Sequence, residues 1–306
     1  MALVAAVLTY ALLALGGLVT SRDAGMIFND YPLSNGSLNP DGWLSNADKF
    51  SEHGHRLLGT LVGMASIALA IMIQRSDTRT WMKWLAWFAV VFVTAQGLLG
   101  GFRVWRVNTF MALMHGCTGQ IFFGLTVALA YLTSRDAREK PEQGRDTRLL
   151  VAVGCGAAVA TLMQTILGAR VRHIHGPIND HLLGAVVVSG AVIWLVSIVV
   201  VLHRRRRALM VPAMIVLGLF LVQVTLGFAT AIVLSPDNRT DVVTTWQIAN
   251  PSVHQAVGAL LLAAQIWLTL RAFRRRSPDR SPEATVAAFE RHERRMREQC
   301  LRGVGA

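Results

Sequence analysis

Cysteine and charged residues are scarce in this sequence, whereas long apolar runs are abundant. Charged residues make up 16% of the 306 positions, well below the roughly 25% usual in globular domains. Of the three cysteines, Cys117 and Cys155 fall inside apolar runs and Cys300 in a basic C-terminal tail. No pair is therefore placed to form a structural disulfide. Because 53% of the residues are hydrophobic, the composition excludes an ordinary soluble domain and is typical of a polytopic membrane protein.

Apolar stretches of membrane-spanning length recur along the chain. Each is about 20 residues long, enough to cross a hydrocarbon core of about 30 Å as a helix. The first stretch lacks a basic N-terminal region, so we interpret it as a helix and not as a secretion signal. The sequence therefore predicts an all-α integral membrane protein with eight transmembrane helices, over residues 2–20, 53–73, 82–101, 110–132, 149–169, 180–202, 210–234 and 252–273.

The basic residues are distributed unevenly between the two predicted sides of the membrane. A net charge of +12 could indicate nucleic-acid binding. The excess, however, lies in the segments that follow even-numbered spans, as in the run Arg204–Arg207. By the positive-inside rule, this side faces the cytoplasm. We therefore expect a multi-pass protein of the cell (inner) membrane with both termini cytoplasmic, a lipid bilayer as its surroundings and no nucleic-acid partner.

A repeated motif suggests that the chain is a tandem duplication. Gln-x-x-Leu-Gly occurs at Gln96–Gly100, Gln164–Gly168 and Gln223–Gly227, always in an odd-numbered span, and Leu15-Gly16 echoes it in the first span. Spans 1–4 then match spans 5–8 in order, which predicts two tandem four-helix bundles. The predicted units are an N-terminal bundle 1–133, a cytoplasmic linker 134–148, a C-terminal bundle 149–276 and a charged cytoplasmic tail 277–306.

Four histidines occupy the same relative place near the start of the even-numbered spans: His55, His115, His181 and His254. Each is followed four residues later by a small residue, which would leave space beside the imidazole on its own helix face. A lone histidine in such a helix is more often a packing residue. Four at one depth, repeated in both halves, favour axial ligation of two haems. Zinc or copper is disfavoured because those sites need three or four clustered ligands.

The two halves differ beside their first histidine. Glu52 precedes His55 by three residues and shares its helix face, whereas Ile178 stands at the matching place before His181 and Asp180 is adjacent. A carboxylate beside a haem ligand can accept a proton or position water. This asymmetry predicts a reaction site in the first half and a cofactor site in the second. The alternative is that Glu52 only pairs with Arg56 across one helical turn.

Arginines near the outer helix ends are candidates for haem propionates, because a guanidinium matches a carboxylate in shape and charge. Lipid headgroup contacts are the alternative. These residues are Arg56, Arg103 and Arg106 in the first half, and Arg170 and Arg172 in the second. Of the other outer histidines, we expect His53 to be a neighbour and not a ligand. We place His173 and His175 in an exposed loop, close enough to contact the second haem.

Taken together, these residues resemble the haem A synthase family. The matching features cover all eight predicted spans, about residues 2–273. They are Glu52-His53-Gly54-His55-Arg56, the Leu-Gly-Gly-Leu-Val end of span 1, Asp30-Tyr31-Pro32-Leu33, Met114-His115-Gly116 with Gly119-Gln120, Gln164 through Arg172, and His254-Gln255-Ala256-Val257-Gly258.

The resemblance implies an enzyme that oxidises a methyl group of haem O to a formyl group, giving haem A for terminal oxidases. It implies that Glu52 assists catalysis. The substrate haem would be bound by His55, His115, Arg56 and Arg103. A resident haem b would be bound by His181, His254, Arg170 and Arg172. A haem O synthase, an electron-transfer protein and a second copy of this chain are the further partners considered.

The sequence departs from the family in one respect. Many bacterial members have a cysteine pair in their outer loops, where this chain has Ile27-Phe28-Asn29 and Leu33-Ser34-Asn35. That difference puts disulfide-linked regulation or electron delivery in doubt. The main alternative function is a dihaem b-type electron-transfer cytochrome. Glu52, which has no counterpart three residues before His181, favours the enzyme, and a transporter is disfavoured because no broken helices are evident.

Overall fold

The computed structural model describes residues 1–138, 146–235 and 243–275. Within these ranges it contains eight α-helices, a short 3-10 turn at Asp136–Arg138 and no named strand. All eight helices are long and apolar enough to cross a membrane. The predicted eight-helix membrane protein is therefore confirmed. The helices are α1 (Ala2–Ser21), α2 (Ala47–Ser76), α3 (Thr80–Arg106), α4 (Thr109–Leu132), α5 (Arg148–Ile174), α6 (Ile178–Leu202), α7 (Arg207–Val233) and α8 (Thr245–Arg274).

Two predictions fall outside the described residues. The predicted tail 277–306, which contains Cys300, is not described, and the predicted linker 134–148 is described only at its two ends. At one of those ends, Asp136 accepts hydrogen bonds from Arg271 and Arg275 at 2.9 Å. At the other, Thr147 Oγ1 donates to the carbonyl of Ala272 at 2.7 Å. Both ends of the linker are thereby fastened to the end of α8.

Helices α2 and α8 begin earlier than hydropathy predicted. Asn46 caps α2, since its side chain accepts the main-chain N–H groups of Asp48 and Lys49 at 3.0 Å. A capping box of Thr244 and Gln247 starts α8. These polar first turns precede the apolar stretch, so a hydropathy window misses them. As a result, His55 and His254 lie about two turns inside their helices and not at the start.

Each half of the chain has its own apolar core. One cluster of buried residues comes from α1–α4 and a second from α5–α8. The halves meet where α1 packs on α8, and α4 on α5 and α8. At this junction a Cβ on Gly124 would lie 2.9 Å from Cδ1 of Ile266. A glycine here lets two membrane helices approach closely.

The segment between α1 and α2, residues 22–46, folds back over one end of the first half and is called the first loop. Its Phe28 is fully buried, and the Tyr31 ring packs on Gly97 and Gly101 of α3. Trp43 stacks on Phe50 with ring centroids 5.9 Å apart. We call this end of the molecule, where the four histidines lie, the histidine end.

Candidate functional site

The structure brings the four histidines together as two pairs. The rings of His55 and His115 have centroids 6.4 Å apart and planes at 77°. Those of His181 and His254 have centroids 6.3 Å apart and planes at 79°. Two imidazoles bound to opposite sides of one iron would place their centroids about 6 Å apart, since a metal–imidazole bond is about 2 Å long. Both pairs therefore have the separation that one axially ligated iron requires.

Each histidine ring lies against a glycine of the preceding helix. These are the glycines of the repeated Leu-Gly motif, and a Cβ added to any of them would approach Cε1 of the ring. The distances are 2.9 Å for Gly16 and His55, 3.3 Å for Gly100 and His115, 3.0 Å for Gly168 and His181, and 3.3 Å for Gly227 and His254. In all four cases the motif glycine therefore provides a flat surface against which the histidine ring lies. We call each of these glycines the seat of its ring.

The small residues that follow the histidines differ in what lies beside them. They were predicted to leave space beside the imidazole, and the structure shows a side chain of the neighbouring helix close to Gly258 but little beside Gly59. A Cβ on Gly258 would lie 3.1 Å from the Gln223 amide, and one on Gly59 would lie 4.0 Å from Leu12. The sequence signal for the ring contacts is the repeated Leu-Gly motif, which by itself indicates only the tandem duplication.

The glutamines of the motif distinguish the two halves. In the second half, Gln164 Nε2 lies 3.1 Å from Nδ1 of His181 and also donates to the His181 carbonyl at 2.7 Å. Gln223 Nε2 lies 3.4 Å from Nε2 of His254. In the first half, Gln96 donates to Thr118 Oγ1 at 2.5 Å instead. Amides therefore contact both rings of the second pair.

The first histidine pair has no such amide contacts. The Nδ1 atoms of His55 and His115, like that of His254 in the second pair, are buried without a side-chain partner among the described residues. The main chain of Leu12 lies close to the His55 ring, and that of Gln96 lies close to the His115 ring. At the α1 position that corresponds to the motif glutamine stands Leu12. The orientation of these two rings consequently depends on the motif glycines and on the neighbouring main chain of α1 and α3, and not on a side-chain amide.

Glu52 is buried beneath the first loop, with 4% of its surface exposed. One carboxylate oxygen accepts the main-chain N–H groups of Ile27 at 2.7 Å and Phe28 at 3.1 Å. The other accepts Arg56 Nη2 at 2.6 Å. The ion pair foreseen as the alternative role is therefore present. A carboxylate can accept about four hydrogen bonds, so one acceptor position remains beyond these three.

Arg56 is engaged with the first loop. Its Nη1 donates to the carbonyls of Asp30, at 2.5 Å, and Leu33. Its Nη2 donates to the carbonyl of Phe28 at 3.1 Å as well as to Glu52. The guanidinium predicted to hold a propionate is thus occupied in fixing the loop.

Arg103 is the other cation predicted for the first half. Its guanidinium lies against Gly25 of the first loop, where a side chain would have no room. Its Nε is buried without a hydrogen-bond partner among the described residues. The side chain is within electrostatic reach of Glu52 and of both first-half histidines. An incompletely bonded cation beside the histidine pair suits a carboxylate ligand. Arg106, by contrast, is exposed.

The two arginines of the second half point to different partners. Arg170 Nη1 lies 3.3 Å from the carboxylate of Asp180, and both side chains are partly exposed. Arg172 donates to Gly17 O at 2.8 Å, to Gln255 Oε1 at 2.9 Å and to Ser21 Oγ. Arg170 therefore stays beside the helix of His181, whereas Arg172 joins α5 to α1 and α8.

Three further histidines were assigned positions from the sequence, and of these His175 is exposed at the C-cap of α5, as expected. His53 uses both ring nitrogens in the first loop, with Ser34 Oγ at 2.9 Å and the Leu38 carbonyl at 3.2 Å, so the expectation that it is a neighbour is confirmed. His173 was expected in an exposed loop, which is wrong. It lies in the last turn of α5, partly buried, within electrostatic reach of Arg103 and His115. The apolar pattern of this span ends before the last turn of α5, so the sequence did not predict that His173 is helical.

Hydrogen bonds between its own residues hold the turn of the first loop at Asp30–Gly36. The Asp30 carboxylate accepts the main-chain N–H groups of Asn35 at 2.8 Å and Gly36 at 2.7 Å. These donors, that of Gly36 above all, lower the pKa of the Asp30 carboxyl below its usual value. Asn35 and Gly36 have φ values of 51° and 69°, a conformation that asparagine and glycine tolerate best.

The donor set is that of paired imidazoles. Among the described residues, no group of three or more histidine, cysteine or acidic side chains is placed to hold a metal ion. Two histidine rings with centroids 6.3–6.4 Å apart are suited to a planar macrocycle with two axial positions. The geometry of both pairs and their glycine seats therefore fits haem.

A family comparison agrees with this geometry. Residues 45–180 match the COX15-CtaA family model, described as cytochrome oxidase assembly protein. The matched segment contains Glu52, His55 and His115 and ends immediately before His181.

Three curated relatives carry the name heme A synthase. The protein from Symbiobacterium thermophilum is 36% identical over 172 residues, which cover 52% of this chain and 54% of the relative. The proteins from Caulobacter sp. (strain K31) and Caulobacter vibrioides are 30% and 29% identical, over 39% of this chain and 36% of each relative. The chain thus spans about half the length of the first relative and about a third of the other two. Over the stretches that these matches cover, the chain is similar to proteins named heme A synthase.

Proposed function

We propose that this protein oxidises a methyl group of haem O to a formyl group and so produces haem A for terminal oxidases. The observation that carries the proposal is the repeated histidine pair, present twice at the separation one iron needs, with a buried carboxylate beside only one pair. Similarity to proteins named heme A synthase supports the same activity. The alternative, a dihaem electron-transfer cytochrome, gives no reason for that asymmetry.

In the first half, we assign substrate binding to His55, His115 and Arg103. The imidazoles would hold the porphyrin through its iron. Arg103 would receive a propionate, since its buried Nε has no partner in the described residues. Arg56 would act on the substrate indirectly, because its guanidinium holds the first loop against the site. The loop would then exclude water from one side of the bound substrate.

Glu52 would act as a proton acceptor or hold a water molecule near the methyl group. Oxidation of a methyl carbon to an aldehyde releases protons, and a positioned carboxylate can accept one. Its three identified hydrogen bonds fix the carboxylate in place, and about one acceptor position remains for a substrate-side partner.

In the second half, we assign the binding of a resident haem b to His181, His254 and Arg170, with Arg172 nearby. When bound, haem b supplies reversible one-electron chemistry. Gln164 would keep the His181 ring oriented through its contacts with both ring and carbonyl. A residue that fixes a ligand's orientation from behind typically strengthens binding.

The distribution of basic residues supports an orientation with both termini in the cytoplasm of the cell membrane. The histidine end would then face outward. A farnesylating enzyme such as haem O synthase would have to supply the substrate, and an electron-transfer protein would have to accept electrons. A second copy of this chain is a further partner.

Glu52→Gln tests the catalytic assignment. We expect the purified variant to retain the low-spin haem b spectrum of the second half, because Glu52 lies in the first. Its conversion of haem O to haem A, measured by mass spectrometry of extracted haems, should fall by at least about tenfold for loss of a general base. Conversion at the parental rate would contradict the role of Glu52.

Two controls separate catalysis from loop anchoring. Asp180→Asn alters the carboxylate adjacent to His181, and it should leave conversion close to the parental rate. Limited proteolysis of the first loop should give the same pattern for Glu52→Gln as for the parent if the loop stays in place. A parental protein that binds two haems but forms no haem A with any electron acceptor would favour the cytochrome.

A further inference from the structure

Arg172 lies between the two histidine pairs and contacts helices of both halves. Its guanidinium donates to Gly17 O at 2.8 Å and to Ser21 Oγ on α1, and to Gln255 Oε1 on α8 at 2.9 Å. Ser21 in turn shares a hydrogen bond of 2.7 Å with Ser252 of α8. One side chain from α5 therefore ties together one helix of each half.

The α1 partner of Arg172 lies next to the seat of a first-half histidine. Gly17 follows Gly16, whose added Cβ would lie 2.9 Å from the His55 ring. A shift of the α1 backbone at Gly17 would consequently move this seat. Because Arg172 binds the Gly17 carbonyl directly, it holds the backbone that contacts His55.

The α8 partner of Arg172 lies next to a second-half histidine. Gln255 follows His254 in the chain, and its amide packs on Gly17, where a Cβ would lie 3.2 Å from Oε1. Arg172 is also within electrostatic reach of His254. A contiguous path of packed and hydrogen-bonded atoms thus runs from the His55 ring through Gly16, Gly17 and Gln255 to His254.

We propose that Arg172 is a positioning residue shared by the two haem sites, fixing the His55 seat and the start of the His254 helix relative to each other. The assignment rests on the proposed function, in which each histidine pair holds a haem. It differs from simple propionate binding, which would affect only the second site. Coupling of this kind between sites typically corresponds to a 5- to 150-fold change in affinity, or about 1–3 kcal/mol.

Arg172→Gln tests the proposal, with Arg170→Gln as its matched control. Both changes remove one positive charge from the last turns of α5, but Arg170 contacts Asp180 and not α1. In purified protein, two quantities are measured: the Kd for the first-site haem by optical titration, and the midpoint potential of the second-site haem. We expect Arg172→Gln to weaken first-site binding at least about fivefold and to shift the potential. Arg170→Gln should leave first-site binding unchanged.

Variants at Gln255 keep the arginine and guard against misfolding of Arg172→Gln. Gln255→Leu removes the acceptor, so first-site binding should weaken as well. Gln255→Glu restores an acceptor for the guanidinium, and first-site binding should return towards the parental Kd. Such a rescue would not follow from a loss of overall stability.

Several outcomes would overturn the proposal. One is that Arg172→Gln changes only the second site, as a plain propionate ligand would. Another is that Gln255→Leu leaves first-site binding at the parental Kd. Failure of the proposed function would look different, since a parental protein that takes up haem at neither pair would refute that function itself.

Discussion

The two halves of this protein hold their histidines in the same way but surround them differently. In both, a glycine of the odd-numbered helix seats a ring of the next helix, and the paired rings are 6.3–6.4 Å apart. In the first half a loop, a buried carboxylate and Arg103 surround the pair. In the second, Gln164 and Gln223 contact the rings directly.

This difference separates the ligand geometry, which is repeated, from the surroundings, which are not. In the second half, glutamine amides of the same bundle hold the histidine rings in place. This arrangement is suited to a permanently bound cofactor. A site covered by a separate loop can admit and release a molecule when the loop opens. The contrast favours a resident haem in the second half and an exchanging haem in the first.

Single histidine substitutions should produce the largest effects and would break the comparison most directly. His254→Ala should abolish the haem spectrum of the second half, because it removes one ligand of that iron. The first half should still bind added haem, because both of its histidines are unchanged. His115→Ala should give the reverse. Optical spectra and haem titration of purified protein measure both. His175→Asn, at the exposed C-cap of α5, is the control and should bind both haems. Loss of both haems in either alanine variant would contradict two independent pairs.

Alanine at the glycine seats should give the next largest effect. Gly16→Ala and Gly168→Ala would place a Cβ 2.9 Å and 3.0 Å from a ring, and a contact below about 3 Å forces the ring to move. We expect each to weaken haem binding about tenfold in its own half, since overpacking costs about 1–3 kcal/mol. Gly100→Ala and Gly227→Ala, at 3.3 Å, are the matched controls and should have smaller effects. Equal effects at all four would show that ring contact does not set affinity.

The first loop should respond to acid while the second half does not. The pKa of Asp30 is lowered in the folded loop by the Gly36 and Asn35 N–H groups. Such a group stabilises the fold above its unfolded pKa of 3.8, and this contribution is lost as pH falls through the lower, folded value. Proteolysis of the loop by an acid-active protease should therefore increase only below about pH 4. Asp30→Asn should show the increase already at neutral pH. A loop equally resistant in Asp30→Asn would remove Asp30 from its support.

The smallest expected effect is on thermal stability. It arises from a second difference between the halves, at Gln265 of α8 and the matching Thr126 of α4. Gln265 of α8 is fully buried, and neither amide atom has a partner among the described residues. At the matching place in α4, eleven residues after the histidine by the numbering, Thr126 satisfies its hydroxyl on Phe123 O at 2.8 Å. Gln265→Met should raise the thermal midpoint, because an unpaired buried polar group costs about 1–3 kcal/mol. A lower midpoint would indicate that the amide is satisfied, for instance by an internal water.

Much of the fold could be predicted from the sequence, and the physical reason is the bilayer. Backbone groups in hydrocarbon must bond within their own helix, so an apolar run of about 20 residues almost dictates a transmembrane helix. The histidines could be found for the same reason, because ionisable residues are rare and costly in such helices. Helix starts with polar first turns, at Ala47 and Thr245, were missed because capping and not hydropathy sets them.

The surroundings of the site depended on contacts between distant segments. The sequence alone determined eight apolar helices, their repeat and the four imidazoles, since each of these is a local property of composition or spacing. Only the tertiary structure decided which glycine seats which ring, that Arg56 holds the first loop, that His173 of the second half faces the first, and that Arg172 joins α1 to α8. Those contacts depend on helix rotation and depth, and side chains far apart in sequence set both through packing.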